Sequence, residues 1–249
     1  MAHVLEHWFK QVPIVTRCYL TATVLTTIVC SLEIVTPLTL YLNLKLVFGD
    51  FQLRRLITNC LYLGNLDLNL LVRLYYMANY CQTLEEKAFR GRTADFFYMI
   101  LFGATVMTGI VVVGSMIPYV SGSFVGIYFL SHSLIFMMVY VWSKYNPSML
   151  ISFFGLFNYS SAYLPWVLLG LSVLFGGNAW GNLLGMVAGH AFFFLDRLYP
   201  KMTGRRPLRM RTPSFIKTWF AEDAATQGSH QHLKEMSLSL MSNFGDEAC

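Results

Sequence analysis

Residues 83–118 read TLEEKAFRGRTADFFYMILFGATVMTGIVVVGSMIP. Acids and bases crowd the stretch from Thr83 to Asp95; from Phe96 to Ile117 no charge occurs, and Pro118 closes the run. A membrane-spanning helix needs about 20 mostly apolar residues, and this run supplies them. A charged loop followed by an uncharged span is one unit of a polytopic membrane protein. Working outward, the same pattern recurs on both sides. Toward the N-terminus lie spans over residues 56–78, carrying Asp67 and Arg73, and 16–35, stopping before Pro37. Toward the C-terminus lie residues 124–142, closed by Asn146-Pro147, and 162–175, short and opened by the Leu164-Pro165-Trp166 bend. A last span covers 180–198 and is closed by Pro200. The expected fold is all-α, with six spans.

Composition agrees. Of 249 residues, 55% are hydrophobic and only 12% charged, where a soluble domain carries about 25% charged residues. So much apolar surface must face lipid. The five cysteines form no C-x-x-C pair and are odd in number, which speaks for free thiols and against a zinc site or a disulfide framework. The first eight residues, MAHVLEHW, lack a basic region followed by an apolar core and a small-residue cleavage site, so the first apolar run is expected to be a permanent span.

Lys and Arg placement orients the chain. With both ends in the cytosol, Lys45, Arg54 and Arg55 fall on the far side and Arg73 lies within a span. The other 14 of the 18 basic residues share the cytosolic side. The net charge of +5 is thus explained by topology, and no nucleic-acid partner is expected. Residues 1–200 form the membrane domain and 201–249 a polar cytosolic tail expected to be disordered. The sequon Asn158-Tyr159-Ser160 falls on the cytosolic side, where glycosylation is not expected. Residues 149–157 are semi-apolar, too short to span, and expected at the interface.

Three features carry candidate chemistry. In the charged loop, Arg90 and Arg92 can pair with Glu85, Glu86 or Asp95 and hold the loop against the headgroups; the plainer reading is a solvated positive-inside loop. Asp67 and Arg73 either line a polar groove, because a charge at mid-membrane costs at least about 2.5 kcal/mol, or mark a misplaced span boundary. Gly185 and Gly189 lie four apart on one helix face, with Gly181 a turn earlier, a spacing that lets two helices approach closely. His190 sits beside that seam, either as a hydrogen-bonded structural residue or as a proton carrier or half of a catalytic dyad.

Catalytic motifs are missing. An intramembrane serine protease needs an activated serine with oxyanion donors, and the rhomboid nucleophile sits in Gly-x-Ser-Gly. That motif does not occur; Gly170-Leu171-Ser172-Val173 and Leu130-Ser131-His132-Ser133 come nearest. His-Glu-x-x-His, Gly-x-Gly-Asp and nucleotide-binding loops are absent too.

These residues, taken in order, resemble a known family, the derlins. The resemblance rests on the segment FQLRRLITN over residues 51–59 and on Leu84-Glu85-Glu86 followed by FRGRTADF over 89–96. It continues through MVYVWSK over 138–144 with Asn146-Pro147, FGLF over 154–157 and YLPWVL over 163–168. Leu183-Leu184-Gly185 with Gly189-His190, and TPSF over 212–215, complete it, covering roughly residues 12–220. GATVMTGI over 103–110 and MTGRRPL over 202–208 look most like plant derlins.

The resemblance implies a rhomboid-like six-helix bundle of the endoplasmic reticulum membrane without protease activity or cofactor. It further implies work in endoplasmic-reticulum-associated degradation and the unfolded protein response. There the bundle assists retrotranslocation of misfolded clients to a ubiquitin ligase complex and an AAA ATPase, by thinning the bilayer and offering a polar groove, with homo-oligomers open as an assembly state. On this reading Arg55, Glu85, Glu86, Arg90, Gly91, Arg92 and Asp95 set the architecture, while Gly185, Gly189 and His190 set helix packing beside the groove. Two departures stand out. The family's first-loop Trp-Arg pair falls on Arg54-Arg55, so its indole is missing. The tail SNFGDEAC, residues 242–249, does not match the ATPase-recruiting box of many animal derlins, so the ATPase is expected to be recruited indirectly. The alternatives are a small-molecule or ion transporter, with Asp67, Arg73 and His190 along the path, and an active intramembrane protease using Ser131 or Ser133.

Overall fold

A computed structural model describes residues 12–40, 54–116, 129–153, 157–174, 176–199 and 202. The expectations for the first eight residues, most of the first loop, the 118–123 connection and the tail beyond 202 fall outside them. The described chain is mostly helical: α1 (Ile14–Ser31), α2 (Arg54–Leu61), α3 (Leu68–Thr83), α4 (Thr93–Met116), α5 (Ser131–Tyr145), α6 (Leu164–Leu174) and α7 (Ala179–Phe193). By length and composition, Ile14–Ser31 and Thr93–Ser115 can each cross a bilayer.

Helix α4 shows how an apolar sequence chooses its faces. Phe96, Met99, Gly103, Met107, Val111 and Gly114 are buried, spaced three or four apart on one side. Leu101 and Val113 stay exposed on the other, as do Leu25, Leu71 and Val187 on their helices. Around a closed bundle, such apolar side chains meet lipid rather than water. In α1 the threonines satisfy themselves: the hydroxyls of Thr21, Thr23, Thr26 and Thr27 each donate to the carbonyl four residues back. That is the local solution open to a hydroxyl where water is scarce.

Helix α5 is the hub. Only His132, Lys144 and Tyr145 of its residues escape burial. Its last turn meets the ends of α3 and α7, and its first turn meets the linker after α2 and the start of α7. Between α5 and α6 the chain makes an antiparallel hairpin, Leu150–Phe153 against Phe157–Ser160, with Leu150 opposite Ser160. Residues rich in β-branched and aromatic side chains after Asn146-Pro147 favour it.

The second span, expected over residues 56–78, is a correction. The chain breaks between α2 and α3. Asp67 is extended and its carboxylate accepts the Leu70 backbone N–H at 2.7 Å, capping α3. Asp67 therefore begins a helix instead of crossing the membrane within one. Gly64 carries φ +129°, a region glycine enters without strain. Arg73 folds back over it and donates to the Leu63 carbonyl at 2.6 Å.

Candidate functional site

The seam between α5 and α7 is built on missing side chains. A Cβ on Gly185 would lie 2.2 Å from the Ser133 carbonyl oxygen, and one on Gly189 would lie 2.9 Å from Tyr140 Cδ1. Backbones meet here as closely as glycine allows. At Gly103 the neighbour is a side chain: a Cβ there would strike the Met137 sulfur, so the end of Met137 on α5 seats against the bare glycine of α4. His190 lies at the exposed edge of the seam, its Nδ1 2.8 Å from the Tyr140 hydroxyl.

The last turn of α5 faces a cluster of paired polar and aromatic groups. Glu85, expected in a loop and opposite an arginine, is helical and buried: α3 runs on through a π-turn, Leu84–Ala88. Its carboxylate accepts the Val15 and Thr16 backbone N–H groups at 3.2 and 2.9 Å and the Thr16 hydroxyl at 2.7 Å. An acid at a helix N-terminus satisfies orphan donors and meets the positive end of the helix dipole. Burial raises the Glu85 carboxyl above its ordinary range, against the opposing pull of its Thr16 and Val15 donors. Glu86 is exposed and accepts from Gln82 Nε2 at 2.9 Å.

The charged connection shrinks to a few residues. Arg90 is exposed, and Gly91 turns the chain with φ +69°. Arg92 lies 3.8 Å from Asp95 and over the Phe89 ring at 5.6 Å. Phe89 also packs on Phe96, Tyr145 and Phe192, which ties the start of α4 to the ends of α5 and α7. Tyr145 donates to Asp196 at 2.5 Å, with Arg197 over its ring. Arg55 is buried in α2, away from this cluster.

The first turn of α5 is different. Asn59 accepts the Leu130 N–H at 3.0 Å, and Ser131 donates to the Tyr62 carbonyl. Ser133 Oγ, His132 Nδ1, Asn59 Nδ2 and both polar atoms of Asn182 are buried with no hydrogen-bond partner. Asn182 and Ser133 are 0% and 1% exposed. A Cβ on Gly181 would sit 3.3 Å from Ser133 Oγ, so Ser133 faces the opening turn of α7. Asn182 comes alongside the His132 ring without completing a hydrogen bond. Neither Ser131 nor Ser133 is hydrogen-bonded to an imidazole. No group of three His, Cys, Asp or Glu side chains is placed to hold a metal among the described residues.

The sequence-predicted residues thus fall into two places, the charged end and the glycine seam, with Arg55 apart. Asn182, Asn59, Thr16, Tyr145 and Asp196 are additions from the structure. Asn182 had a signal: it is the one carboxamide within α7, an apolar helix.

The chain matches known proteins over most of its length. The Der1-like family model covers residues 12–214. Derlin-2.2 of Zea mays is 60% identical over 90% of this chain and 89% of its own length. Derlin-2.1 of Arabidopsis thaliana is 60% identical over 90% and 91%, and Derlin-1 of Oryza sativa subsp. japonica 38% identical over 84% and 82%. With its apolar helices and their lipid-facing flanks, the chain is a membrane protein that belongs to the derlin family and resembles its plant members.

Proposed function

We propose that the chain is a non-enzymatic subunit of endoplasmic-reticulum-associated degradation that helps misfolded lumenal or membrane proteins return to the cytosol. In this reading α1, α3, α4, α5, α6 and α7 are the six spans of a rhomboid-like bundle. The start of α1, the turn at Glu85–Asp95 and the end of α7 face the cytosol, where a ubiquitin ligase complex and an AAA ATPase take over the client. Contacts at Glu85 and Phe89 support this arrangement by bringing those helix ends together. Family membership supports the pathway.

The observation that carries the reading is the shortness of α6. Its 11 residues rise about 16 Å, and the 3-10 turn before it adds about 6 Å. A hydrocarbon core is about 30 Å thick, or about 27 Å in the endoplasmic reticulum. Trp166, Val173 and Leu174 are exposed on this helix, so lipid must thin to meet it. A thinned bilayer shortens the apolar path a polar client crosses. The bundle does this without bond chemistry.

The test is a chase of a misfolded lumenal glycoprotein in cells depleted of the chain. Turnover is expected to slow on depletion and to recover on re-expression of wild type or of His190→Gln, with the client passing intact to the cytosol. A membrane-bound cleavage fragment that appears only with wild type would overturn the non-enzymatic reading. Turnover that never changes would overturn the degradation role.

A further inference from the structure

Five buried polar atoms lie unpartnered where α5 and α7 begin: Ser133 Oγ, His132 Nδ1, Asn59 Nδ2 and the two ends of the Asn182 carboxamide. They sit on three elements that meet at one node. Asn59 reaches the first turn of α5 through the Leu130 N–H, Ser133 faces Gly181, and Asn182 lies beside His132. A polar group buried without a partner is expensive, whereas an apolar pair of the same shape is close to neutral. Among the other described residues only Trp142 Nε1 is left in that state, and even the threonines of α1 bond their own helix. The node breaks it several times in one place.

The donor and acceptor inventory defines the missing partner. Asn182 offers two N–H donors and one carbonyl acceptor, and Ser133 one O–H donor and an acceptor oxygen. No carboxylate stands among these side chains to hold a cation. Arg73, whose charge reaches His132, gives one guanidinium nitrogen to the Leu63 carbonyl at 2.6 Å. A mixed, neutral set of this kind matches a small group that donates and accepts at once. Water is one such group, and buried water typically makes about three bonds to otherwise unsatisfied atoms. A peptide amide is the other.

We propose that the Ser133–Asn182–His132 node binds a neutral donor–acceptor group: water in the unloaded chain, replaced by a backbone amide of an unwound client segment. The peptide half rests on the retrotranslocation reading above; the water half stands without it. Within lipid, a broken client helix has no solvent for its freed backbone groups, and the node presents groups of the required kind.

The test uses the full chain in lipid nanodiscs and X-ray hydroxyl-radical footprinting, in which a bound water makes a buried neighbour oxidisable. Phe136 lies against the His132 ring at 5.8 Å. Phe192, equally buried at 4% against 6%, lies at the other end of the bundle and is the control. Phe136 is expected to be oxidised roughly threefold faster than Phe192, because only the former neighbours bound water. The excess should vanish in Ser133→Ala, and in Ser133→Ala/Asn182→Leu. Equal rates in wild type overturn the proposal, and that comparison needs no variant to fold. An excess that survives in folded Ser133→Ala and in the folded double variant overturns the assignment to these residues.

The peptide half is read by adding a polyleucine helix of about 20 residues with one central proline, which frees a backbone carbonyl. An uninterrupted polyleucine serves as control. Protection of Phe136 by the proline peptide alone supports amide binding. Protection by neither, or by both equally, overturns it and leaves water as the ligand. These readings do not depend on client turnover in cells, so this site and the degradation role can fail separately.

Discussion

The two ends of α5 lie in the same buried bundle and treat their polar groups in opposite ways. At the last turn the Trp142 indole N–H is unmatched, but Tyr145 is paired with Asp196, Arg92 with Asp95, and the Glu85 carboxylate with three donors from the start of α1. At the first turn, Ser133 and Asn182 face one another's helices unmatched. Between them runs the glycine seam, which fixes the spacing of α5 and α7. The contrast separates two tasks. A matched end locks helices to one another, since breaking a buried pairing such as Glu85 with Thr16 strands a buried group. An unmatched end keeps hydrogen-bonding capacity in reserve.

The largest expected effect comes from the seam that joins the two ends. Gly185→Leu puts atoms where the Ser133 carbonyl already sits, 2.2 Å from the first added carbon. Backbone cannot yield as a side-chain tip can. The expected loss is about 3 kcal/mol, seen as a fall in thermal midpoint of the purified protein and loss of its folded peak in size-exclusion chromatography. An unchanged midpoint would mean the two helices do not meet as described.

The next effect tests the matched end. Glu85→Ala strands two backbone donors and a hydroxyl at the start of α1, an expected loss of about 2 kcal/mol. It also gives that end a pH signature. Burial raises the Glu85 carboxyl, so above the ordinary glutamate value the folded chain holds this proton more than the unfolded chain does. Stability from this group is therefore fullest at low pH and declines as pH rises through the folded value. Wild type minus Glu85→Gln should show that decline when melting is followed upward from about pH 4; a difference that grows with pH would reverse the assignment.

A smaller effect lies at the seam's edge. Tyr140→Phe removes the hydroxyl 2.8 Å from His190 Nδ1 at an expected cost of about 1 kcal/mol. A double-mutant cycle with His190→Gln should recover most of that as coupling energy. The smallest effect belongs to the Arg92–Asp95 pair, which is long at 3.8 Å and partly exposed. Arg92→Ala should move stability by at most about 0.5 kcal/mol. A larger loss would show the Phe89 stack, not the ion pair, to be the working contact.

The seam and the charged stretch were legible in the sequence for a simple reason. Glycines at positions 181, 185 and 189, and a block of charges between two apolar runs, are local patterns with few physical readings. The partners of Glu85 were not legible. They are backbone N–H groups of Val15 and Thr16, which carry no signature in side-chain identity and lie about seventy positions away. The break before α3 was masked because residues 56–63 are apolar enough to continue a span, and only the capping bond of Asp67 shows where the helix begins. Asn182 was hidden by its neighbourhood. A single carboxamide among apolar residues looks tolerable until Ser133, on the helix it packs against, is seen to lack a partner as well.

The shortness of α6 has a consequence beyond the single chain. A bilayer compressed around one such helix stores elastic energy, at fractions of a kcal/mol for each ångström of mismatch. Two chains that share one ring of compressed lipid store less than two chains apart. The deformation is then an attraction of its own, acting at a distance without any contact between protein surfaces. Derlins of this build should gather where the membrane is already thin and disperse as it thickens, so lipid composition alone would tune how crowded they become.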